Sequence, residues 1–187
     1  MSAYDKVRSV TGEIASILPP RSISIALGGV LGVALFARAY IYNSVFQQDA
    51  IVLLSNDPYR VRYLVEQFAV SADGPLDWTA FVDPGRDDLT IAVLGWFAEL
   101  LGGGPPASGF VLAWYPVLAG LVMCWIVYLI GAILTGSRWG GVLSAAALAI
   151  TPAHVSRTAL GFGDHHAFDY LLLALTVGAV LVILNHQ

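Results

Sequence analysis

The sequence has little charge and almost no cysteine. Only 12% of its 187 residues are charged, against 57% hydrophobic residues, and the mean hydropathy is +0.73. An ordinary soluble domain carries about 25% charged residues, so we expect lipid to surround much of this chain. The single cysteine, Cys124, excludes a disulfide within the chain. Its place in an apolar run favours a small core side chain over a reactive thiol.

Basic residues are scarce as well. The nine Lys and Arg residues form no run or stripe of the kind that binds a phosphate backbone, so no nucleic-acid partner is expected. Acidic residues instead concentrate between residues 46 and 88. The acids there are Asp49, Asp57, Glu66, Asp73, Asp77, Asp83, Asp87 and Asp88. We therefore expect this stretch to be exposed to water.

Long hydrophobic runs take up most of the remaining sequence. A helix crosses a bilayer with roughly 17 to 25 apolar residues, since each residue adds about 1.5 Å against a hydrocarbon core of about 30 Å. Four runs have this length and predict transmembrane helices at 23–44, 108–134, 139–156 and 167–185. A fifth run, 89–101, is shorter and contains Glu99, which predicts an interfacial or re-entrant helix.

Basic residues near the ends of these runs predict their orientation. Lys6, Arg8 and Arg21 precede the first run, which is interpreted as a retained anchor rather than a cleaved signal peptide. Arg138 lies in the turn between the second and third runs. By the positive-inside rule, residues 1–22, this turn and the C-terminal end are predicted to be cytoplasmic. The predicted external loops are 45–107, with helices near 57–70 and 89–101, and 157–166.

The first polar motif reads Ser-Asn-Asp-Pro-Tyr at residues 55–59. Hydrophobic residues follow it at the spacing i, i+3, i+4, i+7, which predicts an amphipathic helix. Asp favours the N-cap and Pro the first helical position, so Asp57 is a candidate helix cap. It is equally a candidate catalytic residue, and the local sequence leaves both interpretations open.

The second polar motif is Gly163-Asp164-His165-His166, a turn that opens the fourth predicted span. Asp164 could be only a cap here too, but one carboxylate and two imidazoles within a turn offer ligands for a divalent cation. Titratable groups at a membrane border are costly unless they face water, a partner or an ion. A cation held by Asp57, Asp164 and one histidine would satisfy all three groups, provided that both motifs lie on the same face of the membrane.

Two arginines near these motifs, Arg38 and Arg157, each have two interpretations. Arg38 lies near the outer end of the first span, where it either snorkels to the interface or faces the site or an anionic headgroup. Arg157 is either an interfacial anchor or a contact for a bound phosphate. His154, next to Pro152, is interpreted as a helix-end residue, and His186 as part of a solvated terminus.

The order of these motifs resembles the oligosaccharyltransferase catalytic subunit family, and the archaeal dolichyl-phosphooligosaccharide-protein glycotransferases most closely. The resemblance covers roughly residues 36–185. Its carriers are Arg38 with Asn-Ser-Val-Phe at 43–46, Asn-Asp-Pro-Tyr at 56–59 with Leu-Val-Glu at 64–66, Phe-Val-Asp-Pro at 81–84, and Leu-Gly-Phe-Gly-Asp-His-His at 160–166. It implies an all-α membrane protein, the N-terminal part of a GT-C-type glycosyltransferase. Such a part has about four transmembrane helices and an external loop with short interfacial helices.

The resemblance also implies a chemistry. In the family, the Asp of the first loop and the Asp-x-His of the second ligate manganese or magnesium; by position these are Asp57, Asp164 and His166, with His165 as a further candidate. The family transfers an oligosaccharide from a dolichol phosphate or pyrophosphate carrier to the Asn of Asn-X-Ser/Thr acceptors, at the external face of the cell membrane. Asp57 would then be catalytic, and Arg157 or Arg38 would contact the lipid phosphate.

This sequence departs from the family pattern in three places. Arg60-Val61-Arg62 stand where aromatic residues are expected, and no His precedes the run at 89–101. The 187 residues contain neither the later loop with a catalytic Glu nor the Trp-Trp-Asp domain, so little activity is expected of this chain alone. Two alternatives stay open: another polyprenyl-phosphate-sugar glycosyltransferase of this fold, and a non-catalytic membrane protein that binds lipid-linked glycan or scaffolds a partner.

Overall fold

The computed structural model describes residues 20–48, 50–71 and 89–185. This part of the chain is almost entirely helical, with one small β-hairpin. Its elements in order are α1 (Arg21–Ala39), α2 (Tyr42–Val45), β1 (Phe46–Gln47), β2 (Ala50–Ile51), α3 (Asn56–Ser71), α4 (Leu89–Leu100), α5 (Gly104–Thr135), α6 (Arg138–Ile150), α7 (Pro152–Arg157) and α8 (His166–Asn185). Predictions for residues 1–19, 49, 72–88 and 186–187 lie outside the described residues; these include the N-terminal flank, six of the eight acidic residues between 46 and 88, and His186.

Helix α5 is the central element of the described bundle. Its first turn contains Pro105 and Pro106. Backbone N–H groups in the first turn of a helix have no acceptor within the helix, so proline, which lacks this group, fits there. It ends at Gly136, whose left-handed φ of 63° is typical of a helix C-terminus. Over 32 residues it carries no charge and packs against α1, α4, α6 and α8. The other helices are therefore positioned mainly by their contact with α5.

Within the described residues, three helical segments are long and apolar enough to cross a membrane: Arg21–Val45, Gly104–Thr135 and His166–Leu184. In the most apolar stretch of the third segment, only 6% of the residues are buried within the protein. An apolar helix with so much exposed surface requires lipid or another protein around it. The all-α membrane fold class predicted from the sequence is confirmed.

The third predicted span, 139–156, is two helices rather than one. Helix α6 has 13 residues, about 20 Å at 1.5 Å per residue, and is shorter than a bilayer core. It stops at Thr151, whose backbone is extended with ψ of 117°, and α7 starts at Pro152. Pro152 has no N–H to continue the helix, and its ring pushes the preceding residue out of the helical region. That α6 and α7 together cross the membrane stays a prediction.

Two of the four apolar clusters in the described residues lie at different levels of α5. One joins the segment before α3, α3 itself, α4 and the N-terminal half of α5; it includes Leu53, Val65, Leu94 and Leu112. The other joins α1, α6 and the C-terminal half of α5, with Tyr128 among its members. Helices α3 and α4 therefore pack at the N-terminal half of α5, where the polar motifs are found.

Candidate functional site

The first polar motif follows directly from the β-hairpin. Val52 N–H donates to Val45 O at 2.8 Å, and Leu53 N–H donates to the Tyr59 hydroxyl at 3.1 Å. These bonds direct the chain into α3, which begins at Asn56, so Asp57 lies in its first turn. Asp57 is exposed, and its carboxylate has no hydrogen bond or ion pair to the part of the chain that the structure describes. It does not act as a hydrogen-bonded cap there and is free to meet a ligand.

The second motif belongs to a segment pressed tightly against the bundle. Leu160 N–H donates to Arg38 O at 2.9 Å, and Gly161 N–H donates to Ala113 O at 3.0 Å. Gly161 has a φ of 80°, and a Cβ there would lie 2.9 Å from Val45 Cγ2. Such a backbone conformation and such a close approach both require glycine.

Gly163 approaches α5 even more closely. A Cβ at this position would lie 2.6 Å from Leu112 O, a backbone atom that cannot move aside. Pro116 lies inside α5, and because it has no N–H, Leu112 O lacks its usual helical donor. The segment that carries Asp164 therefore lies directly against the proline-containing part of α5.

A hydrogen bond joins the two motif-bearing segments. Leu54 N–H donates to Gly161 O at 3.0 Å, which fixes the entry to α3 beside the second segment. A cavity of about 370 Å³ opens between them. Its lining residues are Asp57, Arg60, Val61, Leu64, Ile91, Asp164 and His165. Two acidic residues that are distant in the sequence thus border one cavity at the same end of the bundle.

Asp164 and the two histidines form a compact group. Asp164 is 2% exposed, and its Oδ1 accepts the His165 backbone N–H at 2.7 Å. His165 Nδ1 lies 2.6 Å from Oδ1, and His166 Nε2 lies 3.5 Å from Oδ2. One ligand atom from each of the three residues lies within 4.8 Å of the others. One carboxylate oxygen and two imidazole nitrogens at this spacing fit a divalent cation, and Asp57 faces the same cavity.

Arg38 is not where either interpretation of the sequence placed it. Its side chain is fully buried and donates to Thr158, to His154 and to the carbonyls of Ala34 and Ala149. The snorkelling interpretation is therefore wrong, because the guanidinium is enclosed by protein. For the same reason this arrangement gives Arg38 no contact with a lipid phosphate.

Arg157 is exposed, and its guanidinium carbon lies 5.3 Å from the centre of the Phe162 ring. Both interpretations of Arg157 therefore stay open. Arg60 lines the cavity one turn after Asp57, whereas in the sequence it stood out only as a departure from the family pattern. The i, i+3 spacing that puts two helical residues on one face was the available signal. His154, interpreted as a helix-end residue, has a buried imidazole that contacts Arg38.

The comparisons with known proteins point to one family. The family described as "Oligosaccharyl transferase STT3, N-terminal" matches residues 89–186, more than half of the chain, a region that includes the second motif but not Asp57. No curated protein matches the chain. The crystal structure of the Archaeoglobus fulgidus oligosaccharyltransferase in the apo form superposes with a TM-score of 0.72 at 22% identity, which shows a shared fold. The match covers 86% of this chain and 19% of that one, so this chain spans only part of the length of its structural relative. On the family match, the chain belongs to the STT3 oligosaccharyl transferase family.

Proposed function

We propose that this chain supplies part of the active site of an oligosaccharyltransferase, the part that holds a divalent cation next to the donor phosphate. The donor would be an oligosaccharide on dolichol phosphate or pyrophosphate, and the acceptor the Asn of an Asn-X-Ser/Thr sequence. The observation that carries this proposal is the cavity bordered by Asp57, Asp164 and His165. The family membership of the chain supports the reaction class.

The residues that would hold the cation are Asp164, His166 and Asp57, with His165 as a further ligand. The cation would be Mn²⁺ or Mg²⁺, since carboxylate ligands suit both of these ions. Bound next to a phosphate, such an ion acts as a Lewis acid and neutralises negative charge on the leaving oxygen. Asp164 is buried, and one ligand atom from each of the three motif residues lies within 4.8 Å of the others, so the candidate ligands are already close together.

Asp57 would have a second role toward the acceptor. Its exposed carboxylate can accept a hydrogen bond from the N–H of the acceptor amide and so orient the nitrogen. In the transfer, that nitrogen bonds to the anomeric carbon of the sugar while the bond from this carbon to the phosphate oxygen breaks. The phosphate leaves with the electron pair of that bond, and the nitrogen gives up one proton to the Asp57 carboxylate. Val61, Leu64 and Ile91 give the cavity an apolar wall that limits water. Arg157, exposed after α7, would contact the lipid phosphate.

We propose that the cavity faces the outside of the cell membrane and that the chain crosses the bilayer several times. Arg138 follows the C-terminal end of α5, whereas Leu112 and Ala113, which contact the motif segment, lie in its N-terminal half. If Arg138 is cytoplasmic by the positive-inside rule, the cavity lies at the opposite surface.

Metal titration of the whole chain in detergent tests this proposal. We expect saturable Mn²⁺ binding, measured by electron paramagnetic resonance, that Asp164→Asn weakens at least about tenfold and Asp57→Asn weakens less. Glu99→Gln is the control: Glu99 lies in the last turn of α4 and does not line the cavity. Binding that is absent, or equal in Asp164→Asn and Glu99→Gln, would contradict the metal site and favour a non-catalytic membrane protein.

A transfer assay then tests the reaction itself. The chain would be combined with dolichol-linked oligosaccharide and a fluorescent Asn-X-Thr peptide, with and without Mn²⁺. Because this chain spans only a fraction of the length of its structural relative, donor binding is expected to be easier to detect than turnover. Metal binding without any binding of the donor would contradict the proposed substrate.

A further inference from the structure

A fully buried arginine lies beneath the segment that carries Asp164. Arg38 Nε donates to Thr158 Oγ1 at 2.8 Å, and one terminal nitrogen donates to Ala34 O at 2.8 Å and Ala149 O at 3.2 Å. The other terminal nitrogen lies 2.6 Å from His154 Nδ1. Within the described ranges no carboxylate pairs with this guanidinium. All its partners are neutral acceptors on three different helical segments and the turn after α7.

The chemistry of these groups fixes their roles. An arginine can only donate, so His154 Nδ1 must be the accepting nitrogen and the imidazole must be neutral. Its Nε2 then points at Met123 Sδ, 3.4 Å away. Ala149 lies in the last turn of α6, where the break at Thr151 and Pro152 leaves carbonyls without helical donors. Arg38 supplies a donor to one of these carbonyls.

Gly120 of α5 leaves space for the hydrogen bond between Arg38 and Thr158. A Cβ on Gly120 of α5 would lie 2.6 Å from Arg38 Nε and 3.0 Å from Thr158 Oγ1. The hydrogen bond between Arg38 and Thr158 therefore fits against α5 only because position 120 has no side chain.

Arg38 holds the motif segment at two points. Its side chain bonds Thr158, and its backbone carbonyl accepts the Leu160 N–H at 2.9 Å. Thr158 Oγ1 in turn donates to His154 O at 2.6 Å, which links the segment to α7. Asp164 follows only four residues after Leu160, and the intervening Gly161 is itself bonded to Ala113 O. The position of the Asp164 carboxylate thus depends on contacts that begin at Arg38.

We propose that Arg38 is a positioning residue: through Thr158 and Leu160 it sets the place of Asp164 relative to the cavity and so the affinity for the cation. This inference rests on the proposed metal site. A buried arginine among neutral acceptors costs more free energy than an apolar side chain of similar size, so stability alone does not account for Arg38. Its hydrogen bonds hold the segment that carries Asp164 in one position, and this role accounts for the cost.

The test compares Thr158→Val with Thr158→Ser in the whole chain in detergent. Valine keeps the size but removes the acceptor of the Arg38 Nε–H, whereas serine keeps the hydroxyl. We expect Thr158→Val to speed hydrogen exchange of the amides of Leu160 and Gly161 and to raise the Mn²⁺ dissociation constant roughly tenfold. Thr158→Ser should match the wild type in both measurements. Phe36 lies on an exposed face of α1, the helix that carries Arg38. Phe36→Ala is therefore the control for a disturbance of α1 that leaves the Arg38 contacts intact.

Two outcomes would overturn the inference. One is equal exchange at Leu160 and Gly161 in Thr158→Val and Thr158→Ser. The other is faster exchange in Thr158→Val with unchanged Mn²⁺ affinity, which would leave Thr158 and Arg38 a purely structural role. Should Thr158→Val fail to fold, Gly120→Ala perturbs the same contact from α5 and is expected to act in the same direction.

Failure of the proposed function is distinguishable from failure of this inference. If the wild-type chain binds no Mn²⁺, the metal site is contradicted. The exchange measurement, together with the imidazole NMR signals of His165 and His166, then decides the positioning role. Signals that move in Thr158→Val but not in Thr158→Ser support it, and signals unchanged in both contradict it.

Discussion

At the residue scale, the Asp164 carboxylate is enclosed yet has no lysine or arginine partner among the residues that the structure describes. It accepts one backbone N–H and lies beside two imidazoles whose charge depends on protonation. Burying an unpaired carboxylate costs free energy, so a bound cation would stabilise Asp164 in this position. The affinity for the cation depends on the exact position of the segment that carries Asp164, because metal–ligand distances tolerate shifts of only a few tenths of an ångström.

Gly163→Ala is expected to displace that segment. The new Cβ would meet Leu112 O at 2.6 Å, and because this is a backbone atom in a packed helix, the motif segment must shift instead. We expect a loss of about 1–3 kcal/mol in the free energy of unfolding and weaker Mn²⁺ binding. Thermal unfolding in detergent and metal titration measure the two effects.

Gly28→Ala is the matched control for this substitution. A Cβ on Gly28 in α1 would have nothing within 4 Å, so metal affinity should stay at the wild-type value. Stability should not fall, and it should rise by about 0.5–1 kcal/mol because alanine is favoured over glycine inside a helix. Equal effects of the two substitutions would show that the close approach of Gly163 to α5 is not what positions Asp164.

At the element scale, the start of α3 is fixed by contacts that come from outside the helix. The hairpin pairs Phe46 with Ile51, and Leu53 and Leu54 then donate to the Tyr59 hydroxyl and to Gly161 O. The first turn of α3 is thereby held beside the second segment. This arrangement brings the positive end of the helix dipole to the cavity, where it favours bound anions such as a phosphate.

Tyr59→Phe is expected to loosen the start of α3. The substitution keeps the ring but removes the acceptor of the Leu53 N–H, which lies in a partly buried position. The expected cost is about 1 kcal/mol of unfolding free energy, with a smaller loss of Mn²⁺ affinity because Asp57 becomes more mobile. Tyr63→Phe, one turn further along and 61% exposed, should change neither quantity. The interpretation fails if the two Tyr→Phe variants are indistinguishable.

At the scale of the whole molecule, α5 and the helices around it place all the polar motifs at one end. The opposite end has the turn with Ser137 and Arg138. The exposed apolar surface of α1 and α8 requires lipid or further helices around the bundle. The orientation of the bundle in the membrane then decides whether the cavity faces the outside of the cell.

Cysteine labelling tests this orientation. The lone Cys124 is buried, so Cys124→Ala gives a background without a native thiol. In intact cells we expect an impermeant maleimide to label Arg60→Cys at the cavity but not Ser137→Cys, which should react only after the membrane is permeabilised. The reverse pattern would place the cavity in the cytoplasm and contradict the proposed external site.

Most of the helices could be predicted from local sequence patterns. The predicted helix near 57–70 lies within the observed Asn56–Ser71, and the short run at 89–101 corresponds to the 12-residue helix Leu89–Leu100. Hydrophobic periodicity and helix-start residues act over a few neighbours, which explains this agreement. The break at Thr151 was missed, because the apolar content of 139–156 concealed the effect of Pro152 on the preceding residue.

The sequence by itself determined that this is a helical membrane protein and which residue types could bind a cation, since hydropathy and side-chain chemistry are local properties. Only the tertiary structure decided that Asp57 and Asp164 border one cavity, and that Arg38 is buried under the second segment rather than exposed to headgroups. The physical reason is that proximity between distant residues depends on helix packing. Here close contacts of Gly161 and Gly163 with their neighbours, together with one backbone hydrogen bond from Leu54, bring the two segments together.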